Sequence, residues 1–501
     1  MNCHGINNFI FWCLALALSG VFFGSTAAVS AGLVHSTDAA IETLRKRDCA
    51  INVIGSNGSP ASGAAIAVKQ VRHDFGFGAA IPYKILSDTN LQKVFLDHFE
   101  WAVFENDLKW PMTDTSAEGP DYTKPDSLLD WCQKNDIKVR AHCLFWNQDT
   151  GKIPAWTRNL STTEFREAVD ARITNAITHY KGKVEHWDVA NEVIHGSVLE
   201  TKSGNPDIWN YVFNKVKNID ETVKKAINDF NIVEQYSDVD KYVAKIKTIT
   251  NIDVIGVEGH FGSSLVQNDY KSKLEKVAAV GKPIWFTEVD FSVATNVRCD
   301  RFEELLRTAF AHPKVEGFTL WVFWQGNRWR SDLTSYIADS ATYAINDLGK
   351  RYESLLKLWT TTASGTTDAS GKYSFKGFQG KYVVTTTIAG QDQIDTIYLE
   401  PGQGAKAISI TEKESGIAAS YPTRSVSLTL RVNGKPVNIA NVTIGKEPLF
   451  VSIYSTSGRL LSRLQINRNG QGIHLKAPAG FYITSIGTFT NHLSTVGILL
   501  P

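Results

Sequence analysis

Charge imbalance is missing from this chain: 52 lysines and arginines stand against 51 aspartates and glutamates in 501 residues. Without a basic excess there is no field to gather nucleic acid or anionic lipid, so the expected partner is uncharged. Cysteine is scarce, six residues with no CxxC pair, which excludes the common zinc and redox motifs. There is no repeat of solenoid period and no long low-complexity tract. The long apolar run from Phe9 to Phe23 is too short for a stable membrane span. It leads into small residues from Gly24 to Ala31, and residues 1–31 therefore read as a signal peptide cleaved near Ala31, for a secreted or cell-surface protein. Cys3 and Cys13 would leave with it. Cys49, Cys132, Cys143 and Cys299 remain, too scattered for a disulfide framework and expected as buried thiols.

What the chain does have is tryptophan, 13 residues, the usual platform for a flat sugar ring. It also has recurring apolar runs separated by helical stretches: Phe75 to Ile81, Trp101 to Glu105, Lys138 to Cys143, Val184 to Asn191, Lys224 to Asp229, Asp253 to Val257, Pro283 to Val289 and Gly317 to Trp321. Eight strand candidates alternating with helices predict an α/β fold, a (β/α)8 TIM barrel over residues 71–360, closed by a helix from Leu348 to Trp359. The fifth candidate is the least strand-like. Period-two alternation predicts an N-terminal β extension at 45–70 and a small β unit at 361–410. A polar link then leads to a C-terminal β-sandwich at 424–501.

Strand candidates four and seven each run an apolar stretch into a glutamate, Trp187-Asp188-Val189-Ala190-Asn191-Glu192 and Ile284-Trp285-Phe286-Thr287-Glu288. Parallel α/β folds place their chemistry at the carboxyl ends of strands. Strands four and seven face each other across a barrel mouth, and two facing carboxyl groups are the minimum for cutting a glycosidic bond, one to protonate the leaving oxygen and one to attack the anomeric carbon. Asn191, beside Glu192, can hold a sugar hydroxyl next to the reacting carbon. His98, His186 and His195 have no metal-ligand spacing, so no metal and no other cofactor is expected in the catalytic step.

These motifs resemble glycoside hydrolase family 10, the endo-β-1,4-xylanases, over roughly residues 45 to 390. The segment ending in Glu192 matches the family's acid/base motif and Thr287-Glu288-Val289-Asp290 its nucleophile motif. Glu105-Asn106-Asp107-Leu108-Lys109-Trp110 matches the sugar-pocket motif, implying that Glu105, Asn106 and Lys109 bind hydroxyls. Arg140-Ala141-His142-Cys143-Leu144-Phe145-Trp146 matches the third-strand motif, implying that His142 and Trp146 line the subsite beside the cleavage point. Trp321 and Trp329 match the pocket's tryptophan wall, and Asn228-Asp229-Phe230-Asn231 the fifth-strand tetrapeptide. His260 falls in the sixth-strand motif. The small β unit after the barrel is similar to the branch found in plants and some bacteria, and the segment after Thr423 resembles, more faintly, the sorting domains of type IX export.

The resemblance implies a retaining endo-β-1,4-xylanase, a monomer acting on xylan and xylo-oligosaccharides, with Glu192 as acid/base and Glu288 as nucleophile. One departure bears on the chemistry. The family expects Gln, one residue, then His at the sixth strand, and this chain has Glu258-Gly259-His260. A glutamine donates hydrogen bonds, whereas an ionised Glu258 cannot and would repel Glu288. Either Glu258 shares a proton with Glu288 and mimics the amide, giving an acid-shifted working enzyme, or the barrel binds xylan and turns over poorly. A retaining β-glucanase or cellulase is the third reading. Val322 and Gln325 also depart from the family's usual glycine and acidic residue, and these concern fit alone.

Overall fold

The computed structural model describes residues 31–412, apart from 235–237, 264 and 266, and beyond 412 the backbone of seven strands. Of the expected signal peptide at residues 1–31, residues 1–30 lie outside the described residues, and Ala31 opens the helix Ala31–Leu44. Eight parallel strands close a barrel: β1 (Gly76–Ile81), β2 (Trp101–Phe104), β3 (Lys138–Ala141), β4 (His186–Asn191), β5 (Lys224–Asn228), β6 (Val254–Val257), β7 (Ile284–Phe291) and β8 (Val315–Leu320). Each pairs with the next and β8 returns to β1. All eight predicted strands are present, every end within two residues of its expected place. They are legible because a strand covered on both faces is rich in apolar residues without strict alternation, and every residue of β1, β4 and β7 is buried.

Local chemistry starts the helices. Ser161 and Glu164 exchange hydrogen bonds in a capping box ahead of Thr162–Tyr180, between β3 and β4, satisfying two backbone donors that the first turn leaves free. Asn346 caps the closing helix Asp347–Leu358 by accepting from the Gly349 amide at 3.0 Å. That helix turns Leu348, Tyr352 and Leu355 to the core, the stripe of an amphipathic surface helix.

The lower end of the barrel interior is filled by Trp101, His186 and Trp285, whose ring centroids lie 4.6 to 5.0 Å apart in tilted and edge-on pairs. The Trp285 ring fits because two neighbours have no side chain. A Cβ on Gly76 would come within 2.1 Å of it, and one on Gly317 within 2.4 Å. Gly76→Ala is expected to destabilise the fold by about 1–3 kcal/mol, the usual cost of overpacking a filled core, read as a lower denaturant midpoint at unchanged slope.

The segments at 45–70 and 361–410, expected as separate flanking pieces, form one structure. Lys46–Ile54 pairs antiparallel with Lys372–Phe378 and parallel with Lys406–Thr411. Ala65–His73 lies between Thr362–Thr366 and Gly380–Ile388, and Gln391–Leu399 completes that sheet. The two sheets share a core that includes Ile51, Val53, Ile66, Val68, Tyr382, Val384 and Leu399. Each segment alternates apolar and polar residues and has one face to bury, and the other segment supplies the cover.

Residues 413–501 make a second compact unit. Its strands form a three-stranded mixed sheet, Arg424–Val432, Lys435–Ile444 and Ile473–Leu475. A four-stranded antiparallel sheet comprises Leu449–Ser455, Leu460–Ile466, Gly480–Gly487 and His492–Leu500. Cys49, Cys132, Cys143 and Cys299 are all free, the first three buried.

Candidate active site

At the carboxyl ends of the strands a cavity of about 810 Å³ opens. Glu105, Asn106, Lys109, His142, Trp146, Asn191, Glu192, Glu258, His260, Glu288, Trp321 and Trp329 all line it. The twelve residues singled out in the sequence thus meet in one place, brought there from β2, β3, β4, β6, β7 and β8 and the loops that follow them.

Two irregularities in strand pairing aim the central groups. Between β4 and β5 the register shifts, so that Asp188 faces Ala226, Ala190 faces Ile227 and Asn191 faces Asn228. The extra residue changes the parity of the strand, and Asp188 and Asn191, three apart, both turn inward. On β7 the shift falls between Phe286 and Val289, and Thr287 and Glu288 both reach Asn228. Glu192 follows β4 with φ of 57°, a left-handed conformation unfavourable for a residue with a side chain. Its amide donates to the Asn228 carbonyl at 2.8 Å. Trp146 is held beside it because Phe145–Trp146 pairs with Ala190 and Asn191.

Asn228 is the hub that the sequence reading did not single out. Its Nδ2 donates to Glu288 Oε1 and Asn191 Oδ1, both at 2.8 Å, and to Glu258 Oε1 at 3.3 Å, while its Oδ1 accepts from the Thr287 hydroxyl at 2.5 Å. Gly256 makes room for it, since a Cβ there would stand 2.2 Å from Asn228 Oδ1. The signal available was position: an amide at the end of a buried strand, inside a motif already noted. Asp229, next in the chain, accepts from the Ile194 amide at 2.9 Å and from His195 Nδ1 at 2.6 Å, which ties down the turn after Glu192.

Beneath the carboxylates, Asp188 pairs with Arg140 and accepts from His142 Nδ1 at 3.0 Å. His142 Nδ1 is also 3.7 Å from Glu288 Oε1. His260 stands among three carboxylates, with Nε2 3.4 Å from Glu258 and 3.5 Å from Glu288, and Nδ1 3.0 Å from Asp290 Oδ1. Its place follows from backbone pairing, His260 lying opposite Asp290. Trp329 is half exposed and donates its indole N–H to Asp290 Oδ2 at 2.7 Å. Lys109 donates to Asn106 Oδ1 at 2.9 Å and lies 4.5 Å from the Trp146 ring centre. Asn327 donates to Glu105 at 2.6 Å. Val322 packs with Trp321, Ala80 and Val103, and Gln325 donates to the Tyr336 hydroxyl, so both departures are absorbed in packing.

These surroundings pull the carboxyl groups apart. Burial, reinforced by the charges of Glu288 and Asp229, pushes the Glu192 carboxyl up to about 7. Burial would also raise Glu288, but the charge of His142, the hydrogen bond of His260 and the charge of Lys109 outweigh it and hold that carboxyl below its ordinary range. Burial and the neighbouring Glu288 charge lift Glu258 well above the carboxylate range. Burial disfavours charge on His260, yet Asp290, Glu258 and Glu288 raise it well above the usual imidazole value. Of the three carboxyl groups Glu288 is therefore the one that ionises most readily, while Glu258 and Glu192 are the ones that hold a proton. A proton donor and an anionic nucleophile in one cavity can cut an acetal.

The sequence model described as Glycosyl hydrolase family 10 matches residues 67–348. Among curated proteins, the Anti-sigma-I factor RsgI6 of Acetivibrio thermocellus is 40% identical over 370 residues, covering 73% of this chain and 48% of that protein. Endo-1,4-beta-xylanase 1 of Arabidopsis thaliana is 33% identical over 380 residues, covering 74% of this chain and 39% of that protein. The chain thus spans half or less of these relatives' length. Among solved structures, xylanase 10B from Thermotoga petrophila RKU-1 in complex with xylobiose aligns with a TM-score of 0.52 at 21% identity, covering 57% of this chain and 94% of that one, a likeness of fold.

Proposed function

Since the chain belongs to glycosyl hydrolase family 10, we propose that it is a retaining endo-β-1,4-xylanase that cuts internal xylosidic bonds by double displacement. The observation that carries this reading is the divergence of Glu192 and Glu288, one pushed up to about 7 and the other held low within a single cavity. Glu288 attacks the anomeric carbon while Glu192 protonates the departing oxygen. Glu192, now ionised, then removes a proton from the water that releases the sugar from Glu288. Asn191, His142, His260, Lys109, Asn106 and Glu105 hold hydroxyl groups, and Trp146, Trp321 and Trp329 wall the sugar rings. Residues 1–31 serve in export, and the sheets after residue 423 are separate from catalysis.

The pH profile tests the assignment. Glu192 must carry a proton, so kcat/KM on xylan is expected to fall as pH rises through about 7. Glu288 must be ionised, so the acid limb is expected below the ordinary carboxylate range. Reducing-sugar release from xylan measured between about pH 2.5 and 9 reports both limbs. A profile still rising at the alkaline end, or a clear preference for β-glucan over xylan, would overturn the reading.

A second reading, a xylan-binding barrel of poor turnover, draws on the buried carboxyl of Glu258, 1% exposed, beside Glu288. That one relative of this barrel is named an anti-sigma factor gives it a further footing. Against it, a protonated Glu258 donates a hydrogen bond as an amide would. Glu258→Gln is accordingly expected to change kcat/KM by less than about tenfold. Activity appearing in Glu258→Gln from an inert wild type would favour the binding reading.

A further inference from the structure

Glu258, His260 and Glu288 each offer one ligand atom, and the three atoms lie within 4.8 Å of one another. Two of the edges of that triangle, Glu258 Oε2 to His260 Nε2 at 3.4 Å and Glu288 Oε2 to His260 Nε2 at 3.5 Å, are long for a direct pair. They suit a different geometry. Nitrogen and oxygen ligands about 2.1 Å from a tetrahedral zinc ion stand roughly 3.4 Å from one another. Those two edges already have the spacing that an ion between the groups would impose.

A second, independent observation lies behind the ring. Asp290 is fully buried, and its Oδ1 pairs with His260 Nδ1 at 3.0 Å. A histidine that binds metal through one nitrogen commonly gives the other N–H to a carboxylate, which fixes the tautomer and strengthens the ligand. Asp290 is where that carboxylate would be, and the Trp329 indole anchors it from the other side at 2.7 Å. The fourth, open position of such a site faces the cleft, because all three ligands line the cavity.

We propose that Glu258, His260 and Glu288 form a site for a single divalent cation of zinc's ligand preference, and that an ion bound there blocks the nucleophile. One histidine nitrogen and two carboxylates suit zinc, which displaces the protons on His260 Nε2 and Glu258 to solvent as it binds, whereas magnesium demands an octahedron of oxygens and its own waters. The third ligand exists because position 258 is a carboxylate. A glutamine there would leave one nitrogen and one charged oxygen, too few to hold zinc in the cleft. Binding does not rest on the xylanase reading; its effect on hydrolysis does.

The test is a calorimetric titration of the full chain with zinc chloride in a buffer that does not chelate, using wild type and Glu258→Gln. Wild type is expected to take up one zinc ion and no magnesium. Glu258→Gln, which loses a direct ligand, is expected to bind zinc more than about 100-fold more weakly, beyond the 10–100-fold cost of losing an outer partner, with an unchanged metal-free melting temperature to show that the fold is intact. Equal affinity in the two proteins, or no uptake by wild type, overturns the proposal. Xylan hydrolysis is then followed with and without zinc, each protein normalised to its own zinc-free rate. Inhibition of wild type that EDTA reverses and that Glu258→Gln largely escapes supports the blocked nucleophile. Unhindered hydrolysis by zinc-loaded wild type overturns that part. If neither protein cuts xylan without zinc, the enzymatic reading fails while calorimetry still decides the site.

Discussion

Glu288→Gln is expected to lower kcat on xylan by at least about 10⁴-fold, the scale of losing a catalytic nucleophile. The amide keeps the size of the side chain and leaves it in a position that is 5% exposed and surrounded by hydrogen-bonding groups, so the fold has little reason to change. What is lost is the anion. His142, His260 and Lys109 hold the Glu288 carboxyl below its ordinary range, and a neutral amide can neither attack the anomeric carbon nor draw on those contacts in the same way. The Asn228 Nδ2 that donates to Glu288 Oε1 at 2.8 Å would meet a group that is part donor. Xylo-oligosaccharide binding is expected to survive, because hydroxyl contacts and tryptophan walls lie on other residues. Steady-state kinetics beside a binding isotherm checks both halves. A variant that binds normally and retains more than a hundredth of wild-type turnover would remove Glu288 from the mechanism.

Glu192→Gln is expected to cost about 10²–10⁴-fold on xylan, the range of a general acid. The size of the loss depends on the leaving group, and this separates a proton donor from a structural carboxylate. A sugar alkoxide departs poorly without a proton, so xylan shows the full deficit. An activated aryl xyloside needs no protonation, so formation of the glycosyl–enzyme should be nearly spared and the slow step becomes attack by water without a base. A burst of aryl alcohol equal to the enzyme concentration, followed by slow turnover, is the expected trace. The alkaline limb near 7 should vanish as well, since the group that produces it is gone. Equal losses on xylan and on the activated substrate would instead point to damaged geometry.

How far the sequence could be read differs from part to part. The barrel strands were visible because burial on both faces leaves continuous apolar runs, and even the weakest, Lys224–Asn228, differs only by its two lysines. Glu192 and Glu288 were visible because each closes such a run. Asn228 was not singled out, since its importance lies in Asn191, Glu258, Thr287 and Glu288, residues in or just after three other strands that sequence distance hides. The register shifts after Asp188 and Phe286 were hidden for a related reason: parity of facing belongs to a pair of strands, and neither strand carries it alone. The union of residues 45–70 with 361–410 was likewise out of reach, because alternation reveals a face to be covered without naming the cover.

That union sets a timetable for synthesis. Asn52 pairs with Lys372, and Cys49 with Lys406. More than 300 residues of chain must leave the ribosome after Lys46–Ile54 before its neighbours exist, on the order of 15–60 s at ordinary elongation rates of about 5–20 residues per second. Through that interval the whole barrel can emerge and close while the strand that precedes it waits with both edges and an apolar face uncovered. Unpaired edges of this kind invite pairing with other chains. Ala65–His73 waits in the same way for Thr362–Thr366 and Gly380–Ile388, and the charges of its Lys69 and Arg72 oppose such pairing until those partners arrive.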